Sequence, residues 1–150
     1  MGAGKIRPIV LCLFRYQDRI LVSRGYDSVK RDYFYRPLGG GIEFGETSRD
    51  AIIREIREEL GAEIENTILL GTIENIFTLE GKPGHEIVMI YDATFVNTSL
   101  YEQNTIIGYE HGIKSTFVAE WRSLDDLQRH PCRLVPEGLA ELIAGAAKQR

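Results

Sequence analysis

The segment from Thr47 to Leu60 restricts the fold of this 150-residue chain more than any other. Ile52, Ile56 and Leu60 are spaced by four, with Ile53 beside them, which predicts a helix with one apolar face. Thr47 can cap its start, with Asp50 three residues on as in a capping box, and Gly61 is a natural stop. The polar face departs from what stability alone would select. Glu55 stands one turn from both Glu58 and Glu59, and like charges at that spacing repel by a few tenths of a kcal/mol per pair. Glu58 and Glu59 also fall in the last turn, where the helix dipole disfavours anions by roughly 0.3–1 kcal/mol each. One reading is a solvated acidic face helped by Arg54 and Arg57. The other is that a cation completes the face. Three carboxylates make a hard, oxygen-rich site suited to Mg²⁺ or Mn²⁺ and not to zinc. Just before the helix, Gly39-Gly40-Gly41-Ile42-Glu43-Phe44-Gly45 predicts a loop whose backbone can approach a ligand and offer carbonyls, with Glu43 and Glu46 adding carboxylates. No GK[ST] follows it and the spacing is not G-x-G-x-x-G, so it is neither a P-loop nor a dinucleotide fingerprint.

The surroundings predict a mixed α/β domain. Residues 6–14 read as a strand, 16–19 as a turn and 20–22 as a returning strand. Residues 25–30 read as loop, and 33–36 as a short strand ended by Pro37. Two longer strands are expected at 68–79 and 86–96 around the turn signal 80–84. Residues 97–114 read as a loop with short structured pieces and 116–122 as a strand. A short helix starts near Ser123, and a final one opens at Pro136 and carries Leu139, Leu142 and Ile143. No repeat or linker interrupts residues 1–150, so one domain is expected.

Composition removes several classes. With 43% hydrophobic and 27% charged residues the chain is an ordinary globular mixture, neither disordered nor fibrous. A net charge of −4 argues against non-specific nucleic-acid binding, though not against a small anion held through metal ions. No run reaches the length that spans a membrane, no signal-peptide pattern opens the chain, and the myristoylation pattern begun by Gly2 fails at Ile6. A cytoplasmic location is expected. Cys12, in an apolar run, reads as a buried reduced thiol, and neither it nor Cys132 has zinc-site spacing. His85, His111 and His130 suggest neither a zinc site nor a triad.

Taken together, Gly40-Gly41-Ile42-Glu43-Phe44-Gly45-Glu46, seven residues, and then Arg54-Glu55-Ile56-Arg57-Glu58-Glu59-Leu60-Gly61-Ala62 resemble the Nudix box. Seven fixed residue types at ordinary frequencies coincide by chance about once in 10⁸ placements. The flanks are similar too: Tyr35-Arg36-Pro37-Leu38 before the loop, Glu120-Trp121 before a Ser-Leu-Asp-Asp-Leu start, and Pro136-Glu137-Gly138-Leu139 before the last helix. The resemblance implies a Nudix fold, a mixed sheet sandwiched between helices with the box as loop–helix–loop. It also implies a Mg²⁺-dependent pyrophosphohydrolase, with Mn²⁺ as a second choice, acting on a nucleoside diphosphate linked to another moiety. By the same resemblance Glu58 and Glu59 are principal metal ligands, and Glu55 completes the site or polarises water. Gly40 or Gly41 adds a carbonyl. Arg54 and Glu46 pair to hold the loop on the helix, with Arg54 counted in the catalytic set, and Gly61 closes the box. A general base outside the box is implied near Ser115, which cannot serve. Glu110, Glu102 and Glu120 are the candidates, with Glu110 favoured and Glu55 the remaining choice.

Arg24, Arg36 and Glu43 flank the expected mouth as substrate contacts, and Tyr33 and Tyr35 are either stacking or packing residues. A non-catalytic nucleotide-sensing or partner-binding domain competes with the hydrolase, but such domains lose box glutamates and this chain retains them. An isomerase on the same fold needs a cysteine–glutamate site that Cys12 does not suggest. The proline that the ADP-ribose group carries soon after the box is missing, the nearest being Pro83 well beyond, and Ile76, Phe77 and Thr78 stand where the dinucleoside polyphosphate group carries a tyrosine. A homodimer is consistent with the family.

Overall fold

A computed structural model describes residues 4–129 and 132–148. Gly2 and His130 lie outside the described residues. The strands are β1 (Arg7–Leu13), β2 (Arg15–Tyr16), β3 (Arg19–Asp27), β4 (Asp32–Gly41), β5 (Ile64–Leu79), β6 (Lys82–Phe95), β7 (Thr105–Glu110) and β8 (Ser115–Ser123). The helices are α1 (Ser48–Leu60), α2 (Leu124–Gln128) and α3 (Leu139–Lys148), with a 3₁₀ turn at Thr98–Glu102. The sheet runs β5-β6-β1-β4-β3-β8-β7, and β2 pairs with β3. Among the described residues β1 and β6 form a parallel ladder, the other ladders between these strands are antiparallel, and Tyr35 makes an isolated parallel bridge to Leu134.

Helices cover both faces of this mixed sheet, as the Nudix-like α/β/α expectation requires. Ile52 and Ile56 of α1 are fully buried against Val10, Cys12, Leu38 and Trp121. Leu127 of α2 and Leu139 and Ile143 of α3 close the other face over Leu11, Val22 and Ile90. Full burial of each such side chain contributes roughly 1.5–3 kcal/mol. Thr47 caps α1 by accepting from the Asp50 N–H at 3.1 Å, and Gly61 ends it in the left-handed conformation with φ 64°. Cys12 is a free thiol with no exposure, and burial pushes its pKa up.

Several expected boundaries are corrected. The loop at 25–30 is narrower, because β3 continues through Asp27 before the turn. Asp27 organises that turn, accepting from the Val29 and Lys30 N–H groups at 3.0 Å each. Pro37 does not end its strand, and the triple glycine is not a loop: both belong to β4. The β1–β4 ladder runs from Ile9↔Gly41 to Cys12↔Leu38, so Pro37 lies just outside it and its missing N–H interrupts none of those pairs. Gly39 lies where a Cβ would stand 2.0 Å from the Val10 carbonyl oxygen, so close strand approach, not a turn, explains the glycine. The expected loop at 97–114 contains β7, whose Gly108 faces the Phe117 ring on β8. Lys82–Gly84 join β6, leaving a tight Glu80-Gly81 turn. The last helix starts at Leu139 instead of Pro136, whose carbonyl accepts from the Leu139 N–H at 3.1 Å.

Candidate active site

The acidic face of α1 lies beside the end of β4. Arg54 is its hub. Its Nε donates to Glu46 Oε2 at 3.1 Å and its Nη2 to Glu46 Oε1 at 2.6 Å, a bidentate pair. Nη2 also donates to the Gly41 carbonyl at 2.9 Å, while Nη1 spans Glu55 at 3.1 Å and Glu58 at 3.2 Å. Glu46 Oε1 in turn accepts from the Glu43 N–H at 2.8 Å. Arg54 thus ties β4, the following loop and the helix face into one piece. The Arg54 hydrogen bonds hold the Glu46 carboxyl below the usual range. Glu43 itself is exposed at the rim, 3.8 Å from Arg54.

Beyond Arg54 the site becomes crowded with like charge. Glu59 is 7% exposed, and its Oε1 is buried with no hydrogen-bond partner among the described residues. Burial, then the charge of Glu55, then the neighbouring Glu110 carboxyl push the Glu59 pKa up to about 9, against an opposing pull from Arg36. Glu55 is raised too, chiefly by burial, with Arg54 opposing. Gly40 makes room for it: a Cβ there would stand 2.6 Å from the Glu55 carboxyl carbon and both its oxygens. Glu58 is the most exposed of the three, and its backbone carbonyl is 3.1 Å from His111 Nε2, which docks the β7–β8 turn on the helix end.

Register decides which outlying residues join this cluster. Glu110 pairs with Ser115 at the end of the β7–β8 ladder and meets Glu59 and Glu55. Its Oε1 accepts from the Gly112 N–H at 3.3 Å, which steadies it. Arg36 pairs with Ser23, and both line a hollow of about 190 Å³ with Glu59, Glu110, Ile113 and Phe117. Three expected contacts are not brought there. Arg24 pairs with Tyr35, so the pleat turns it to the opposite face from Arg36, where its guanidinium sits 4.5 Å from the centre of the Tyr33 ring. Glu120 pairs with Val22 on that same opposite face. Glu102 lies on the 3₁₀ turn and borders a separate hollow with Arg15 and Tyr101. Tyr35 is buried beneath Arg122 and has no open face for stacking. Ser23 and Phe117 reach the hollow through the β3–β4 and β7–β8 registers and Ile113 through the turn that joins β7 to β8, and none of the three carries a signal in the sequence.

The donor set fits a hard divalent cation. Buried carboxylates with raised pKa values, an orphaned Glu59 oxygen and a glycine cradle behind Glu55 all favour added positive charge. Among the described residues, no three Asp, Glu, His or Cys side chains already converge as a cage. Arg54 instead holds Glu55 and Glu58, so ligation requires these side chains to turn from it.

A model of the NUDIX domain matches residues 5–143. The chain belongs to the Nudix family. It is 32% identical over 129 residues to the uncharacterized Nudix hydrolase YvcI of Bacillus subtilis, covering 84% of this chain and 72% of that protein. It is 27% identical over 129 residues to the NAD-capped RNA hydrolase NudC of Pseudomonas aeruginosa, covering 86% of this chain but only 40% of NudC. Among solved structures, a MutT NUDIX hydrolase from Burkholderia pseudomallei superposes with a TM-score of 0.64 at 22% identity, covering 93% of this chain and 98% of that one. A NUDIX hydrolase from Nitrosomonas europaea gives 0.66 at 17% identity, covering 97% and 90%. The chain is therefore a Nudix hydrolase with a Nudix fold, in a family that acts on nucleotide derivatives and generally uses divalent metals. Among the described residues no helix is long and apolar enough to cross a membrane.

Proposed function

We propose that this Nudix hydrolase is a Mg²⁺-dependent pyrophosphohydrolase, Mn²⁺ substituting, that cleaves a nucleoside diphosphate linked to a second moiety. The observation that carries the reading is the buried Glu59 carboxylate beside Glu55 and Glu110, in one hollow with Arg36. Glu55, Glu58 and Glu59 are assigned as the metal ligands, with the Gly40 carbonyl as a further donor. When bound, the divalent ion offsets charge on the phosphate oxygens and acidifies the attacking water. Arg36 neutralises phosphate charge from the other wall, and Glu43 contacts substrate at the rim. Glu110 takes the proton from water at its carboxylate, which the Gly112 N–H keeps oriented. Arg54 and Glu46 are positioning residues, and Gly61 sets the helix end. Residues 1–150 act as one domain in this reading, and the reading is of a cytoplasmic enzyme.

The test is phosphorus release from nucleoside triphosphates, nucleotide sugars, ADP-ribose, dinucleoside polyphosphates, NAD and NAD-capped RNA, the last two because NudC relatives carry that name. Metal-dependent cleavage of at least one, abolished by chelator, is expected. Metal binding with no cleavage of any would favour the non-catalytic alternative. Glu110→Gln is expected to lower kcat by about 10²–10⁴-fold with KM little changed. An unchanged kcat would transfer the base role to Glu55.

A further inference from the structure

A second hollow, of about 120 Å³, adjoins the glutamate site, and Arg36 lines both. Its walls include Phe34, Phe77, Leu79 and Val135. Phe34 and Arg36 are two apart on β4 and so share a face, which leads from this hollow directly to Glu59 and Glu110. The two phenylalanines are held in a similar way. Phe34 pairs with Gly25 and Phe77 with Gly84, and a Cβ on either glycine would stand 2.3 Å from the facing ring's Cζ. Each ring therefore rests on bare backbone, which fixes it without another side chain, and the rest of it borders the hollow. The β5–β6 turn is fastened against the β3–β4 turn. Lys30 Nζ donates to the Thr78 carbonyl at 2.7 Å, and the Ser28 N–H donates to Glu80 Oε1 at 2.9 Å, so the two ring-bearing hairpins meet there.

The cations that line this hollow sit at its edges: Lys30 is held on the Thr78 carbonyl and Arg36 stands at the glutamate side, which leaves the ring faces for a planar ligand. Asn75 Nδ2 donates to Glu86 Oε1 at 3.4 Å, so an amide and a carboxylate stand together at one edge of the hollow. Arg133 Nε is buried without a hydrogen-bond partner among the described residues; its nearest acid, Asp32, is 3.9 Å away. An aromatic, apolar slot with a carboxylate, an amide and an unmatched donor at its edge is the chemistry that recognises a heterocyclic base. We propose that this hollow binds the nucleobase of the substrate against Phe34 and Phe77, with Arg36 bridging from the base subsite to the phosphates. The inference rests on the pyrophosphohydrolase reading and adds to it the place of the base.

Non-hydrolysable probes separate the two. The full chain with Mg²⁺, and in parallel with Mn²⁺, is titrated calorimetrically with methylenebisphosphonate and with the α,β-methylene analogues of ADP, GDP, CDP and UDP. At least one nucleoside analogue is expected to bind ten-fold or more tighter than the bisphosphonate. Phe77→Leu and Phe34→Leu keep apolar bulk but lose the planar surface, and each should reduce that excess by roughly 5–30-fold. Methylenebisphosphonate affinity, which reports folded protein and an intact phosphate site, should stay within two-fold. No excess for any nucleoside, an excess that survives both variants, or one lost only in Phe117→Leu would overturn the base assignment while leaving the pyrophosphohydrolase reading in place. Failure of every probe to bind with either metal would overturn that reading, and this inference with it.

Discussion

Glu59→Gln is expected to reduce metal-dependent turnover by about 10³-fold or more while raising the stability of the metal-free protein. The two effects have one origin. Glu59 is buried among carboxylates, and its Oε1 has no partner among the described residues. A divalent ligand lost from a phosphoryl-transfer site removes several kcal/mol of charge stabilisation, and each 1.36 kcal/mol is a factor of ten. Without metal the same carboxylate is a burden, which a neutral amide relieves by donating to Glu55 or Glu110. The pH sign follows from the raised pKa. Below about 4.5 both folded and unfolded chains hold the proton; between there and about 9 the folded state keeps it on Glu59 while the unfolded chain has released it. The native state then binds more protons, so stability falls as pH rises through this window. In chelator at pH 8, Glu59→Gln should be more stable by about 2 kcal/mol, or roughly 4–8 °C in Tm, with a smaller gain at pH 5. Added Mg²⁺ or Mn²⁺ should narrow the gap by stabilising only the wild type. Thermal denaturation at both pH values, with and without metal, checks this. Wild-type turnover in the variant, or a gain independent of pH, would remove Glu59 from the metal site.

The helix and its acidic face were legible because two local codes coincide there. A period of four apolar residues and matched capping chemistry fix Ser48–Leu60 with little help from the rest of the chain. The breach of helix-charge rules marked the site for the same reason: only something outside the helix could explain it. What was not legible depends on register. Arg24 and Arg36 are indistinguishable as flanking arginines until the β3–β4 pairing sends them to opposite faces. Glu110, Glu102 and Glu120 were three outlying acids of equal chemistry, and only the β7–β8 ladder carries Glu110 to Glu59. β7 itself was hidden because Gly108 reads as a loop residue, whereas its missing side chain makes room for Phe117. The Gly39–Gly41 run misled similarly. Glycine reports that backbone or a side chain comes close, but not whether the neighbour is a turn, a strand or a carboxylate.

Adjacent glycines in that run should accordingly fail in different ways. At Gly39, where φ is +154°, an added Cβ meets the Val10 carbonyl oxygen at 2.0 Å and the Leu11 Cα at 2.9 Å. These are backbone atoms of the neighbouring strand and cannot swing aside. Gly39→Ala must part β1 from β4, at an expected cost of about 3–5 kcal/mol, a large share of a typical domain's stability. At Gly40 the three atoms nearest an added Cβ are those of the Glu55 carboxyl, each at 2.6 Å. That is the free end of a flexible side chain, so Gly40→Ala should change stability by less than about 1 kcal/mol. It must, however, push Glu55 out of place, and a displacement of about 1 Å in a reacting constellation lowers turnover by about 10²-fold. Chemical denaturation and initial rates on the two variants read the contrast. Equal stability losses at both positions, or a fully active Gly40→Ala, would mean that the Glu55 carboxylate has no need of its glycine cradle.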